Sequence, residues 1–359
     1  MRSPTARRRR AHNQRTTTLA PSRAKGRGSE ETGHHAPAPA AAAAKRRTAG
    51  GGGGGADVFD WLPDDVVLSV LARVAATAVS PADVAAAALT CRRFRELAAH
   101  PAVLSSASAA TVAVRAAAWS ETAHRFLRRC AAAGSLHACY FLGMVKFYCL
   151  RSRATGAALL WHAAAGGHPP AMYALAVLQF NGSGGGKEDK DPRAGVALCV
   201  RAAWLGHPPA LRELGHCLQD GYGVSRDAAA GRRLLLHAAT REHLSWRKRH
   251  DQGICGGGYD DSSAGEGAAS QFMVEWWEAQ RSKAAPRGCH SGGEDDDDDL
   301  RLCSQSRCGR RETRRHEFRR CSVCGSANYC SRACQALDWK RAHRAHCAAA
   351  RWLAAAGAP

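Results

Sequence analysis

No run of the chain approaches the roughly 18 consecutive apolar residues that a membrane helix requires, and no apolar segment follows the arginine-rich start as a secretion signal would need. A soluble intracellular chain is therefore expected. Acid is also short: 31 Asp and Glu face 51 Lys and Arg, a formal net charge of +20. Such an excess ordinarily suggests nucleic acid, so its placement matters. Residues 1–55 hold 12 basic and 2 acidic residues, residues 300–359 hold 13 and 3, and the stretch between is balanced at 26 of each. Length excludes a single compact core, because 359 residues exceed an ordinary domain of ~100–150. Cysteine, in contrast, is plentiful: there are 15, seven of them between Cys303 and Cys347. In a reducing compartment that clustering points to metal, not to disulfides.

Residues 1–55 combine Arg7 to Arg10, Lys45-Arg46-Arg47, a poly-Ala stretch and a glycine run, with almost nothing apolar to offset the entropy of folding. A disordered basic tail is expected. Its clusters suit nuclear import, its acid-free first 29 residues resemble an organelle transit peptide, and an unread solvated tail is the third reading. Nucleus or cytoplasm is expected, with plastid import open.

Order is expected from Phe59. Leu62-Pro63-Asp64-Asp65 places proline and two acids where a helix begins, and Val66, Val67, Val70, Leu71 and Val74 follow at helical spacing. Ser80-Pro81 opens a second helix. A third is expected from Ala88 to Ala98, with Leu89, Phe94 and Leu97 inward and Arg92, Arg93 and Arg95 outward. This stretch, residues 57–104, resembles an F-box in its Leu62-Pro63 opening, its acidic first turn and its Cys91-Arg92-Arg93-Phe94 signature. The resemblance implies an apolar helical face, with Leu62 and Pro63 in it, that docks on a Skp-type adaptor of a cullin-RING ubiquitin ligase.

Between residues 120 and 245 the chain repeats itself. Gly167-His168-Pro169-Pro170-Ala171 recurs as Gly206-His207-Pro208-Pro209-Ala210, a period of 39 that belongs to helical hairpins. The units resemble Sel-like, tetratricopeptide-related repeats, whose loop signature stands as Gly221-Tyr222-Gly223-Val224-Ser225-Arg226-Asp227 and is degraded to Asn181-Gly182-Ser183-Gly184 in the middle unit. Three full units and one half unit would stack into a curved α-solenoid whose concave face binds protein. His168 and His207 are equivalent positions of successive repeats and are read as structural. Residues 247–299 read as a low-complexity linker ending in the acids Glu294 to Asp299, with one apolar island, 272–277, that either caps the last repeat or forms a short binding motif.

From Cys303 the spacing is Cys303-x4-Cys308-x12-Cys321-x2-Cys324-x5-Cys330-x3-Cys334-x8-His343-x3-Cys347. Eight soft ligands complete two tetrahedral zinc sites and leave no position for water, so the two Zn²⁺ are expected to be structural. Residues 303–347 closely resemble a MYND zinc finger through Tyr329-Cys330-Ser331, Cys334-Gln335 and Asp338-Trp339. The family interleaves its ligands, which implies Cys303, Cys308, Cys330 and Cys334 on one zinc and Cys321, Cys324, His343 and Cys347 on the other. One extra residue separates Trp339 from His343, so His346 competes as ligand; His343 is favoured because His346 adjoins Cys347. Gln335 and Trp339 match positions that bind proline-containing peptides in the family, while Trp339 as the finger's core residue is the equal alternative. Nucleic acid is the weaker reading, since Arg314, Arg315, Arg319 and Arg320 lack interleaved aromatics.

The fold class expected is therefore all-α for the main body, with a small zinc-stabilised finger at the C-terminal end. This order of modules resembles plant F-box proteins carrying a MYND finger. It implies a non-catalytic substrate receptor, the F-box holding adaptor and cullin while repeats and finger hold an unidentified target. A scaffold or transcriptional co-regulator is the alternative. Lysine methyltransferase is set aside, because nothing upstream resembles a methyl-donor site and 12 residues follow Cys347.

Overall fold

The computed structural model describes residues 58–251, 261–284 and 300–347. The expected basic tail and the acidic run Glu294 to Asp299 lie outside the described residues. Within them the buried apolar residues fall into two separate cores.

The smaller core belongs to the first helical module. Helix α1 (Asp64–Thr77) carries Asp64 and Asp65 at its positive end, and Val67, Leu71 and Ala75 form a buried stripe of one residue per turn. Helix α2 (Pro81–Thr90) starts beside Asp83, whose Oδ2 accepts from the N–H groups of Val79 and Ser80, both at 2.9 Å. The single helix expected from Ala88 to Ala98 is broken at Cys91. That residue is extended, and its Sγ accepts from the Phe94 N–H at 3.4 Å to cap α3 (Arg92–Ala98). The break turns Arg93, expected outward, back onto the start of the module. Its guanidinium reaches Asp64 Oδ1 and the carbonyls of Phe59 and Leu62 at 2.8, 2.7 and 2.6 Å. It also leaves Leu89, expected inside, 71% exposed. Helix α4 (Pro101–Ser105) adds Val103 and closes the core. The buried Thr111 hydroxyl then donates to the Ala75 carbonyl at 2.7 Å, tying the following connection to α1.

The repeats form as hairpins. After the half unit α5 (Glu121–Ala132) come α6 (Leu136–Tyr148) with α7 (Arg153–Ala165), α8 (Pro169–Asn181) with α9 (Pro192–Trp204), and α10 (Pro208–Asp220) with α11 (Ala228–Asp251). Proline in the first turn starts α8 and α10, and glycine ends both. Gly182 and Gly221 adopt φ of 61° and 71°, the left-handed region that other residues enter at a cost. His168 Nδ1 accepts from the Ala171 N–H at 3.3 Å, a helix cap, which gives that histidine its structural place. Within hairpins the backbones nearly touch. A Cβ added at Gly156 would lie 2.7 Å from the Phe147 nitrogen, and one at Gly215 would lie 2.9 Å from Leu235.

The expectation of a linker over 247–299 fails across its middle. Helix α12 (Asp261–Ala284) runs through it, with Ala269, Phe272 and Met273 fully buried. Burying two large side chains contributes roughly 1.5–3 kcal/mol each, which outweighs the poor helix propensity of the glycines. Nor does the apolar island cap the last repeat. Phe272 meets Trp119 and Phe141 at centroid distances of 5.2 and 5.7 Å, so α12 lies against α6 and α8 at the start of the solenoid. Glu275 locks it there, accepting from the Arg115 Nε at 2.6 Å and the Ala116 N–H at 3.1 Å.

Candidate metal centre

Two short strands, β1 (Arg319–Arg320) and β2 (Asn328–Tyr329), pair antiparallel and set the metal-ligand loops on either side. Helix α13 (Arg332–Asp338) follows, capped by the Ser331 hydroxyl, which accepts from the Cys334 N–H at 3.1 Å. The chain then makes one turn of π-helix, Trp339–His343. A π turn accommodates one residue more than an α turn, so the extra residue seen in the sequence is absorbed here while His343 still reaches its site.

Cys303, Cys308, Cys330 and Cys334 come together in one cluster, and Cys321, Cys324, His343 and Cys347 in another, the ligand atoms of each lying within 4.8 Å of one another. Zn–S bonds of ~2.3 Å place tetrahedral sulfurs about 3.8 Å apart. The edges Cys308–Cys330 and Cys330–Cys334 measure 3.6 and 3.5 Å, and Cys321–Cys347 measures 4.0 Å. Cys324 Sγ lies 3.5 Å from His343 Nε2. These lengths are far beyond a disulfide and suit a small tetrahedral cation. His346 stays exposed, its Nδ1 3.0 Å from the Ala342 carbonyl oxygen, outside the cluster. Thiol chemistry points the same way. Burial drives Cys303 well above the ordinary thiol range, while hydrogen bonds from Cys303, Cys330 and Cys334 hold Cys308 well below it. Alone, the first cluster supports a thiolate shared among four sulfurs; a divalent cation lets all four release protons. In the second cluster burial raises Cys324, but hydrogen bonds from Ser326 and the N–H groups of Ala327 and Ser326 outweigh it and bring the thiol down to about 6. The donors thus fit zinc at both sites, where it would hold the loops together.

The first site faces the solenoid. Arg310, almost fully buried, puts Nη1 3.6 Å from Cys330 Sγ and its guanidinium over the Tyr173 ring of α8. A buried cation is tolerated there because the thiolate cluster beside it is anionic. Around it the finger seats on the repeats. Asn181 Nδ2 donates to the Cys330 carbonyl at 2.8 Å, Tyr173 meets Ser331 at 3.0 Å, and Arg314 donates to the carbonyls of Asn181 and Gly182. Glu213 of α10, fully enclosed, accepts from the Ala333 N–H at 2.9 Å; burial raises its carboxyl, which that N–H and Arg332 partly offset. Arg332 stacks on Tyr222 and pairs with Asp220 at 2.9 Å. Repeats, α12 and finger share one core. The first helices of the hairpins, α6, α8 and α10, are thus in contact with the chain's own α12 and finger. Sequence reasoning misses Arg310 and Glu213 altogether, and weighs Arg314 only as a basic residue for nucleic acid, not as a contact to the repeats. It had registered Asn181 to Gly184 only as a degraded signature, and that departure is the mark of the finger's seat.

Among the expected partner-binding residues, Pro63 is exposed and Leu62 half-buried on the first module. Gln335 is half-buried and Trp339 40% exposed on the finger, which removes Trp339 from the core; Tyr329 and Phe318 fill it instead. The Tyr329 hydroxyl donates to Asp338 Oδ2 at 2.8 Å, fixing α13 against β2.

Comparisons with known proteins agree with this division. The F-box-like family matches residues 59–105, plant tetratrico peptide repeats residues 111–202, the Sel1 repeat residues 208–243 and the MYND finger residues 303–347. F-box protein At1g67340 of Arabidopsis thaliana is 50% identical over 324 residues, covering 83% of either chain. F-box protein At5g50450 of the same plant is 48% identical over 307 residues, covering 83% of this chain and 88% of its own. Among solved structures, a Sel1 repeat protein from Oxalobacter formigenes aligns with 36% of this chain and 97% of its own, at 24% identity and a TM-score of 0.31. The chain belongs to the family of plant F-box proteins that carry Sel1-type repeats and a C-terminal MYND finger.

Proposed function

We propose that the chain is the substrate-recognition subunit of a cullin-RING ubiquitin ligase, its F-box holding a Skp-type adaptor and through it the cullin, and its repeat–finger body holding the target. The observation that carries this reading is the separation of two cores, the smaller of which keeps an uncovered apolar face. Val66 and Val70, one turn apart on α1, are each 40% exposed, and Leu89 is 71% exposed. Apolar side chains held outward on a well-packed helical module suit a partner's apolar surface. The finger offers Gln335 and the exposed Trp339 to a proline-containing segment of the target. Ubiquitin transfer belongs to the partners, since eight soft donors close two tetrahedra without a position for water or substrate.

Retention of a Skp-type adaptor by the tagged full-length chain tests the reading. Val70→Glu, which places a charge on the exposed face, should abolish retention while two zinc ions per chain remain bound. If the unaltered chain retains no adaptor where another F-box protein does, the reading gives way to a scaffold or transcriptional co-regulator.

A further inference from the structure

Gln335 and Trp339 do not face open solvent as they would on an isolated finger. The hollow they line, about 370 Å³, has His216 and Asp220 of α10 as its opposite wall. A second hollow of about 300 Å³ adjoins it, lined by the same Arg319 and Arg332, and continues past Tyr222 to His316 and to Lys190 in the loop before α9. Sharing Arg319 and Arg332, the two form one trough between finger and solenoid, and Lys190 stands on the wall that the repeats supply.

Charge along the trough is unevenly satisfied. Each carboxylate already has partners: Asp220 takes Arg332, Glu213 takes the Ala333 N–H, and Glu317 takes the Ser183 and Thr313 hydroxyls and the Thr313 N–H. Among the described residues the side chains of Lys190, Arg319 and Lys340 make no hydrogen bond or salt bridge, although Glu213 and Asp220 lie near Arg319 and Glu317 near Lys190. Burial first, then the neighbouring Arg314 and Lys187, push the Lys190 ammonium below its usual value against the pull of Glu317. A trough with an exposed tryptophan at one end and unpaired cations along its length fits a ligand that is apolar at one end and acidic at the other. A nucleic-acid strand fits less well, because its regular phosphates would meet Asp220, Glu213 and Glu317 as well as the cations.

We propose that the target's peptide lies along this composite trough, its proline-bearing apolar part on Trp339 and an acidic part across Arg319 of the finger and Lys190 of the repeats, so that the repeats share in selecting the acidic part. The inference rests on the reading of the finger as a peptide-binding surface, and the experiment separates the two. The zinc-loaded full-length chain is used to select from a displayed library of random peptides, and the enriched peptide is synthesised with a fluorophore. Enriched sequences should carry Asp or Glu to one side of an apolar, proline-containing segment. By anisotropy, Trp339→Ala and Lys190→Glu should each weaken binding at least several-fold, and exchanging the peptide's acids for Lys should restore binding to Lys190→Glu. Lys190→Gln should fall between. Enriched peptides without acidic bias, lost with Trp339→Ala but indifferent to Lys190→Glu, would overturn the composite trough and leave the finger surface standing. No enrichment would overturn both. Displacement of the peptide by a single-stranded oligonucleotide as readily as by unlabelled peptide would transfer the trough to nucleic acid.

Discussion

Asn181 and Asp220 occupy the same position of successive repeats, one period of 39 apart, and each is spent on the finger: Asn181 on the Cys330 carbonyl, Asp220 on Arg332. Asn181→Ala should therefore leave a largely buried carbonyl short of its donor and lower stability by about 1–2 kcal/mol, read as a reduced melting temperature. His168 makes a second prediction at this scale. Burial, with His137 and His207 nearby, lowers its imidazole from 6.5 to about 3. The folded chain then binds fewer protons than the unfolded chain between those values, so stability rises with pH across that window and is lost as pH falls from 6.5 toward 3. At pH 5 the loss is about 2 kcal/mol. His168→Asn preserves a capping side chain without a titrating ring, so denaturant titrations at pH 5 and 7 should differ by less in the variant than in the parent. Equal differences would assign the acid sensitivity to other groups.

Among the elements, the hairpins depend on missing side chains. Gly156→Ala improves helix propensity by up to about 1 kcal/mol, yet its Cβ would meet the backbone of Phe147 at 2.7 Å, so α7 must move from α6. A net destabilisation of ~1–3 kcal/mol is expected, and an unchanged melting curve would count against the observed closeness. The π turn after α13 yields a prediction of opposite contrast. His343→Ala should cost the chain one zinc ion by metal analysis, whereas His346→Ala should leave two, because only the first imidazole lies with Cys321, Cys324 and Cys347.

At the scale of the whole molecule, one core runs through repeats, α12 and finger, so zinc bound at the two clusters would support more than the finger. Chelation should release Cys330 and Ser331 from Asn181 and Tyr173, and amide hydrogen exchange in α8 and α10 should accelerate. Exchange in α1 should change little, because its core is separate. Uniform acceleration in all three helices would show that the two cores unfold together.

What was legible in the sequence is what near neighbours decide. The eight Cys and His donors marked by spacing are the ones that gather in the two clusters, divided as the resemblance to a MYND finger implies, and the 39-residue period falls on the helical hairpins. Helix starts were marked by proline and caps, because such signals act within one turn. The break at Cys91 escaped because Leu89, Phe94 and Leu97 retain a helical period across it. Helix α12 escaped because its glycines and serines read as linker, and only Trp119 and Phe141, more than 100 residues earlier, give Phe272 a reason to be buried. The seat of the finger escaped for the same cause. Asn181 and Cys330 are 149 residues apart and Tyr173 and Ser331 are 158 apart, and contacts at such separation leave no period in the chain. The amino-acid sequence by itself determined the modules and the eight Cys and His donors, since helix signals and donor pairs such as Cys321-x2-Cys324 and Cys330-x3-Cys334 are specified by residues a few positions apart. Tertiary structure alone decided that the finger closes on the repeats and that Trp339 faces a trough walled by α10, because both depend on side chains that meet only once the solenoid has stacked.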